Sequence, residues 1–389
     1  MTATMETRTG TAIDSRLPSF CNAHFSSLVR SDQRRWAEVY VQGLVSVPGR
    51  KSIRRIADHV VGWRADQSLQ QFVNQSTWKW EPVRRSLAHQ VAGMIRPRAW
   101  VVLEAVFPKN GDSSVGVARQ YAPSARRVLN CQRGLAVFMV GDEASCPVNW
   151  RLLLPRSWDN DEARRARTHL PEQQRHRPGW HSVVDAVDEM ILGWRLGTAP
   201  LLVDATGEQN IEPRLRSLDE RGLHYVVEVS PSTTAMPANR WADRSRVPTV
   251  GEVAALAVRP GANPMVWQSH GGRHAGSRVV ATPIPRAAEA LPFGPGRHCA
   301  GPQQLVAEWP AGSRRPSAIW LTNLSEARLP ELLDLITLRA RAVEDLRRLE
   351  SAVGLQHFEG RSFPGWHHHV TLASVAHAYK LACAREGGT

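Results

Sequence analysis

Two spacings of apolar residues divide the chain. Near the start the spacing is helical: Trp36, Val39, Tyr40 and Leu44 share one face of a helix. Further helices are expected over 51–61 and 69–73 and from Pro82 onward, with Lys51, Arg54 and Arg55 on the outer side of the second. Residues 21–97 therefore read as a helical domain behind a disordered tail, 1–20. From Ala99 the spacing becomes that of strands. The runs 100–107, 134–142 and 148–155 are short, apolar or β-branched, and bounded by turn residues. A charged stretch rich in Pro and Arg, 156–178, precedes a helix over 182–196, a strand over 200–207, a helix over 212–221 and a strand over 224–230. Strands and helices that alternate with short links argue for an α/β core with partly parallel pairing, whose first part covers 98–236. Residues 237–314 are rich in Gly, Pro and Arg, with one strand-like piece at 278–284, and read as an insertion subdomain rather than a continuation of the sheet. A strand over 317–323 and a helix over 331–353 return to the main pattern, so 315–389 is expected to hold the rest of the core and a C-terminal segment. The last of these helices keeps Leu332, Leu335, Ile336, Val343, Leu346, Leu349 and Val353 at helical spacing.

Composition narrows the function classes. A chain of 389 residues with 42% hydrophobic and 22% charged residues is an ordinary globular one of two or three domains. Its net charge of +13 and pI of about 10.5 favour a polyanionic partner, most plainly nucleic acid. The basicity is almost all arginine, since the only lysines are Lys51, Lys79, Lys109 and Lys380. Arginine suits bidentate phosphate contacts, but a genome rich in G and C also encodes it in place of lysine. The longest apolar run, 134–140, is far short of the roughly 20 residues that cross a bilayer. Five scattered cysteines without a CxxC pair indicate neither a disulfide framework nor a zinc ribbon, which fits a reduced, cytoplasmic interior.

Several blocks, in order along the chain, carry a resemblance. They are FPKNGDSSVGVARQY (107–121), NCQ (130–132), NWRLLLPRSW (149–158), LLVDATG (201–207), AEWP (307–310) and GLQHFEGRSFPGWHHHV (354–370). Together they resemble bacterial insertion-sequence transposases with an Asp-Asp-Glu site, over residues 25–379. The resemblance implies a ribonuclease-H-like α/β core with a helical N-terminal domain and an insertion before the last core helix. It also implies double-stranded DNA as partner, no membrane, and a homodimer as the candidate assembly. The chemistry of such a fold uses two magnesium ions about 3.5–4 Å apart, held by converging carboxylates.

The family's acids are only partly present. Asp204 ends an apolar strand before a Gly-containing turn and takes the second position. At the first, an adjacent Asp pair is replaced by Leu103 and Glu104; neighbouring strand residues face opposite sides, so only one of them can stand in for the ligand. At the third, counting back from Gly354, the family's Tyr, Arg, Glu and Lys fall on Ile336, Arg339, Val343 and Glu350. Only Arg339 is kept. Glu344 lies next to Val343 but is rotated by about 100° around a helix. The candidate catalytic and metal-binding residues are Glu104, Asp204 and Glu344, with magnesium as the metal if the protein is active. Lys109, Arg119, Arg339, Arg361 and Trp366 are the candidate DNA contacts, by phosphate pairing and stacking. The consecutive His367, His368 and His369 fan out on a helix and suggest contact with DNA or a carboxylate rather than a metal.

The leading expectation is a transposase-like DNA-binding protein with impaired catalysis, domesticated as a DNA-binding or regulatory factor. An active transposase using Glu104, Asp204 and Glu344 is the alternative. A decaying product without a role and a protein-interaction scaffold that no longer binds DNA also stay open.

Overall fold

The computed structural model describes residues 15–62, 65–208, 210–234, 248–257, 265–267, 276–284 and 303–386. Five helices come first: α1 (Arg16–Phe25), α2 (Ser31–Ser46), α3 (Ile53–Val60), α4 (Asp66–Asn74) and α5 (Trp80–Ile95). The helical start was legible, but α1 already begins at Arg16, inside the expected tail; residues 1–14 of that tail lie outside the described residues. Lys51 also departs from expectation. It is buried, and its amine donates to the Val47 carbonyl instead of facing solvent.

The strands then follow as β1 (Ala99–Pro108), β2 (Ala118–Ala122), β3 (Arg127–Val140) and β4 (Ser145–Leu153). Helices α6 (Glu162–Arg167) and α7 (Gly179–Asp188) lead to β5 (Leu201–Asp204), α8 (Glu212–Asp219) and β6 (Tyr225–Val229). Helix α9 (Val250–Ala257) and strands β7 (Met265–Trp267), β8 (Ser277–Ile284), β9 (Gln303–Trp309) and β10 (Ala318–Thr322) come next. Helices α10 (Leu329–Arg348) and α11 (Phe363–Glu386) close the chain. The strands form one mixed sheet in the order β2-β3-β1-β5-β6-β10-β9-β8-β7, with β4 also on β3. Strands β1, β5 and β6 are parallel and the others antiparallel, the ribonuclease-H-like arrangement expected.

One expectation about the sheet fails. The insertion expected over residues 237–314 does not stand apart from it: β7, β8 and β9 extend the sheet through β10. Strand β7 is only three residues long, and the Gly- and Pro-rich sequence between the described strands hides the strand period. Residues 235–247, 258–264, 268–275 and 285–302 of this stretch lie outside the described residues.

Helix α11 joins the two halves of the molecule. It packs on α1, α2, α4 and α5 on one side and on β4 on the other. Every residue from Gly365 to Tyr379 is buried. Apolar residues of the helical half and of the sheet therefore belong to one continuous core. Trp366 fills the joint, its ring lying edge-on to both Phe107 and Trp150. Gly134 on β3 makes room for it: a Cβ there would come 2.7 Å from the indole. The connection into α11 turns sharply at Gly354, where φ is +78° and only glycine is unstrained. Among the described residues no helix is long and apolar enough to cross a membrane.

Candidate active site at the carboxyl end of the central strands

A parallel pair of strands presents the residues at its carboxyl ends side by side. Val102 on β1 is level with Val203 on β5, so the next residues, Leu103 and Asp204, are neighbours on one face. Asp204 is in turn level with Glu228 on β6. This face is the one α10 covers: the Arg339 guanidinium reaches Asp204 Oδ2 at 2.8 Å and Glu228 Oε2 at 3.6 Å. The other Asp204 oxygen accepts from the backbone N–H and hydroxyl of Thr206 at 3.0 and 2.7 Å. Burial pushes the Glu228 carboxyl up, against the pull of Arg339. A second cation stands close by. Arg214 on α8 is buried, ion-paired with Glu208, and within the field of Asp204.

The three expected acids are not brought together. Glu104 points to the opposite face, where it makes a bidentate pair with Arg133, one bond at 2.8 Å. Leu103, buried and apolar, occupies the place beside Asp204. Glu344 is half-exposed and pairs at 3.5 Å with Arg347 and Arg348. Regular helix from Arg339 sets the difference: four residues bring Val343 back to within about 40° of the Arg339 face, and five carry Glu344 about 140° away. Only a bulge between Arg339 and Glu344 would correct this, and the wider π turn of α10 falls over Leu349–Val353. It lies beyond both residues, so it leaves their phase relative to Arg339 unchanged.

The residue after Glu344 has a role the sequence did not reveal. Asp345 turns into the core and accepts from the backbone N–H and hydroxyl of Ser145 at 3.0 and 2.7 Å. It pins α10 to the start of β4. Glu228 was also missed. Its signal in the sequence is a lone carboxylate inside an apolar five-residue strand, the same signal that marked Asp204.

Two magnesium ions do not fit the residues at this face. Asp204 has the apolar Leu103 beside it on β1, and a guanidinium is seated on its carboxylate. Among the described residues no three His, Cys, Asp or Glu side chains converge as a metal-binding group.

Of the expected DNA contacts, Arg119 and Arg361 are exposed. Trp366 is fully buried in the joint and stacks on no ligand surface. The Lys109 amine donates to the Phe358 carbonyl and lies 5.7 Å from that ring, and burial pulls its pKa down to about 8. Arg339 is committed to the carboxylates just described. The three histidines are likewise structural. His367 Nδ1 accepts from the buried Arg84 at 3.0 Å, and its ring stacks on Trp80. His368 has both ring nitrogens 2.9 Å from carbonyl oxygens, those of Val73 and Trp78. His369 Nε2 donates to the Leu355 carbonyl at 2.8 Å, leaving Nδ1 to accept from Tyr40 at 2.9 Å. Burial pulls His368 and His369 down to about 4 and His367 well below its ordinary value.

A family model described as DDE superfamily endonuclease matches residues 23–282. No curated protein matches the chain.

Proposed function

The chain belongs to the DDE superfamily endonucleases, and from that premise we propose that it binds double-stranded DNA without two-metal strand cleavage. The observation that carries this reading is the seating of Arg339 on Asp204 and Glu228, with Leu103 and Val343 in the places of the other two acids. A divalent cation needs converging hard oxygen ligands with a net negative charge. Here the one remaining family acid already has a tethered cation as its partner. The fold that holds DNA-processing residues is otherwise intact, and the net charge of +13 supplies the attraction for a polyanion. On this reading the protein is a cytoplasmic DNA-binding or regulatory factor derived from a transposase, and magnesium has no part in what it does.

The test is a filter-binding titration with duplex DNA at two salt concentrations, run beside a nicking assay with magnesium. Affinity that falls steeply with salt, and no nicked product, is the expected pair of results. Magnesium-dependent nicking would overturn the reading; absence of any DNA affinity would replace it with a protein-interaction scaffold.

A second reading is favoured by one observation. Glu228 stands next to Asp204 on the same face, so an enzyme that had moved its first acid from β1 to β6 would use this pair. In that case Glu228→Gln, as well as Asp204→Asn, abolishes nicking. The set Glu104, Asp204 and Glu344 has less support, because Glu104 lies on the other face and Glu344 pairs with arginines on its own helix.

A further inference from the structure

Beyond the sheet face that holds Asp204, strands β2 and β3 continue as a two-stranded ribbon. It pairs Ala118–Ala122 with Arg127–Cys131 and extends four residue steps, about 13 Å at the usual rise, past Cys131, the last β3 residue paired with β1. Because β1 and β5 are parallel, this ribbon projects from the same end of the sheet that presents Asp204. Register places Arg119, Tyr121, Val128 and Asn130 on one of its faces. Arg119, Tyr121 and Val128 are exposed, the latter two at 55% and 52%. Arg126 and Arg127 are exposed at the tip. Arg119, Arg126 and Arg127 make no ion pair among the described residues. No acidic residue occurs between Asp112 and Asp142. The ribbon is thus an unneutralised basic arm with an apolar ridge.

We propose that the β2–β3 ribbon is a DNA-docking arm, seated in a groove of duplex DNA with Arg119, Arg126 and Arg127 on phosphates and the Tyr121–Val128 ridge against the groove. A two-stranded ribbon fits the major groove. The base of the arm is anchored rather than floppy. The Val115 N–H donates to the Arg361 carbonyl at 2.9 Å, and the Phe363 N–H donates to the Thr168 carbonyl at 2.8 Å. These bonds set the exposed Arg361 and Arg167 beside the arm and continue the basic surface toward the sheet. The inference rests on the DNA-binding reading above and adds the surface that performs it.

The experiment compares the full-length protein with the triple variant Arg119→Gln, Arg126→Asn, Arg127→Gln. Asparagine is chosen at 126 because the backbone there has φ +51°, which it tolerates. Affinity for a mixed-sequence duplex is measured against salt concentration. Each lost phosphate contact lowers the slope of log affinity on log salt by about 0.9, so the triple variant is expected to lose about 2 to 3 from its slope. Tyr121→Ala is expected to weaken binding several-fold at unchanged slope, and Tyr121→Phe to restore it. A normal melting temperature for each variant shows that the fold is kept. If the wild-type protein binds DNA and the triple variant keeps the full slope, the arm is not the docking surface. If instead the variant loses self-association while its slope is unchanged, the arm joins two copies of the chain and the proposal fails. If the wild-type protein does not bind DNA, the underlying reading falls as well.

Discussion

The C-terminal segment 354–370 and the carboxyl end of β5 make opposite impressions in sequence and in structure. The first is crowded with His, Trp, Arg and Gly and looks like a working surface. Its second half, Gly365 to Val370, is buried throughout, with Trp366 and three histidines locking the helical half to the sheet. The second is a short apolar strand with one acid, and it is where the family's chemistry would take place. Residue chemistry alone misled in the first case because polar side chains can satisfy each other and the backbone inside a core. In the second, register and face decided the outcome: a shift of one residue on a strand or a helix separates Leu103 from Glu104 and Val343 from Glu344.

The largest effect that separates the two regions is in the joint. Trp366→Ala is expected to cost about 3–5 kcal/mol of stability in a denaturant titration, as truncation of buried Trp generally does. A cost below about 1 kcal/mol would mean that the segment is not core. The histidines of the joint add a dependence on pH. Because burial lowers their pKa in the folded state, the unfolded chain binds protons first as pH falls below about 6.5. Stability is therefore complete above that pH and declines toward pH 4, where His368 and His369 take up protons in the fold too. Each such group contributes roughly 1.4 kcal/mol per pH unit within that window. His369→Gln should flatten the decline by about one group's share, and an unchanged profile would remove His369 from the account.

At the other region the effects are smaller and concern metal. The double variant Leu103→Asp, Val343→Glu places carboxylates on the Asp204 face. In a chelating buffer it is expected to lose about 1–3 kcal/mol for poorly paired buried acids. Adding manganese at a hundred times its dissociation constant should return about 2.7 kcal/mol, seen as a rise in melting temperature. No response to manganese would show that these positions do not face Asp204. The smallest expected effect belongs to Arg339→Gln. Its ion pairs are over a third exposed, so the loss should be below about 1 kcal/mol. A larger loss would mean that the guanidinium is a structural keystone rather than the occupant of a vacated site.

Much of the frame was legible in the sequence, for identifiable reasons. Strands β1, β4, β5, β6 and β10 and helices α2, α7, α8 and α10 carry unbroken apolar periods, and each lies where that period predicts. Asp204 stood out in the sequence because it ends an apolar strand just before a Gly-containing turn, within one of the blocks that carry the family resemblance. Helix α11 was not legible as a buried helix. It is covered all round, so its sequence shows no polar face against which an apolar stripe could be recognised. Strands β7 to β9 were obscured by the Gly- and Pro-rich segments between them. The pairing of Arg339 with Asp204 and Glu228 joins residues more than a hundred positions apart, and no local pattern foretells it.

The central claim is that Asp204 holds a guanidinium where the family's enzymes hold metal. Calorimetric titration of manganese into the wild-type protein and into Asp204→Asn tests it most directly. The account predicts superimposable titrations with no saturable site at millimolar concentrations. A site in the wild-type protein that Asp204→Asn abolishes would contradict it.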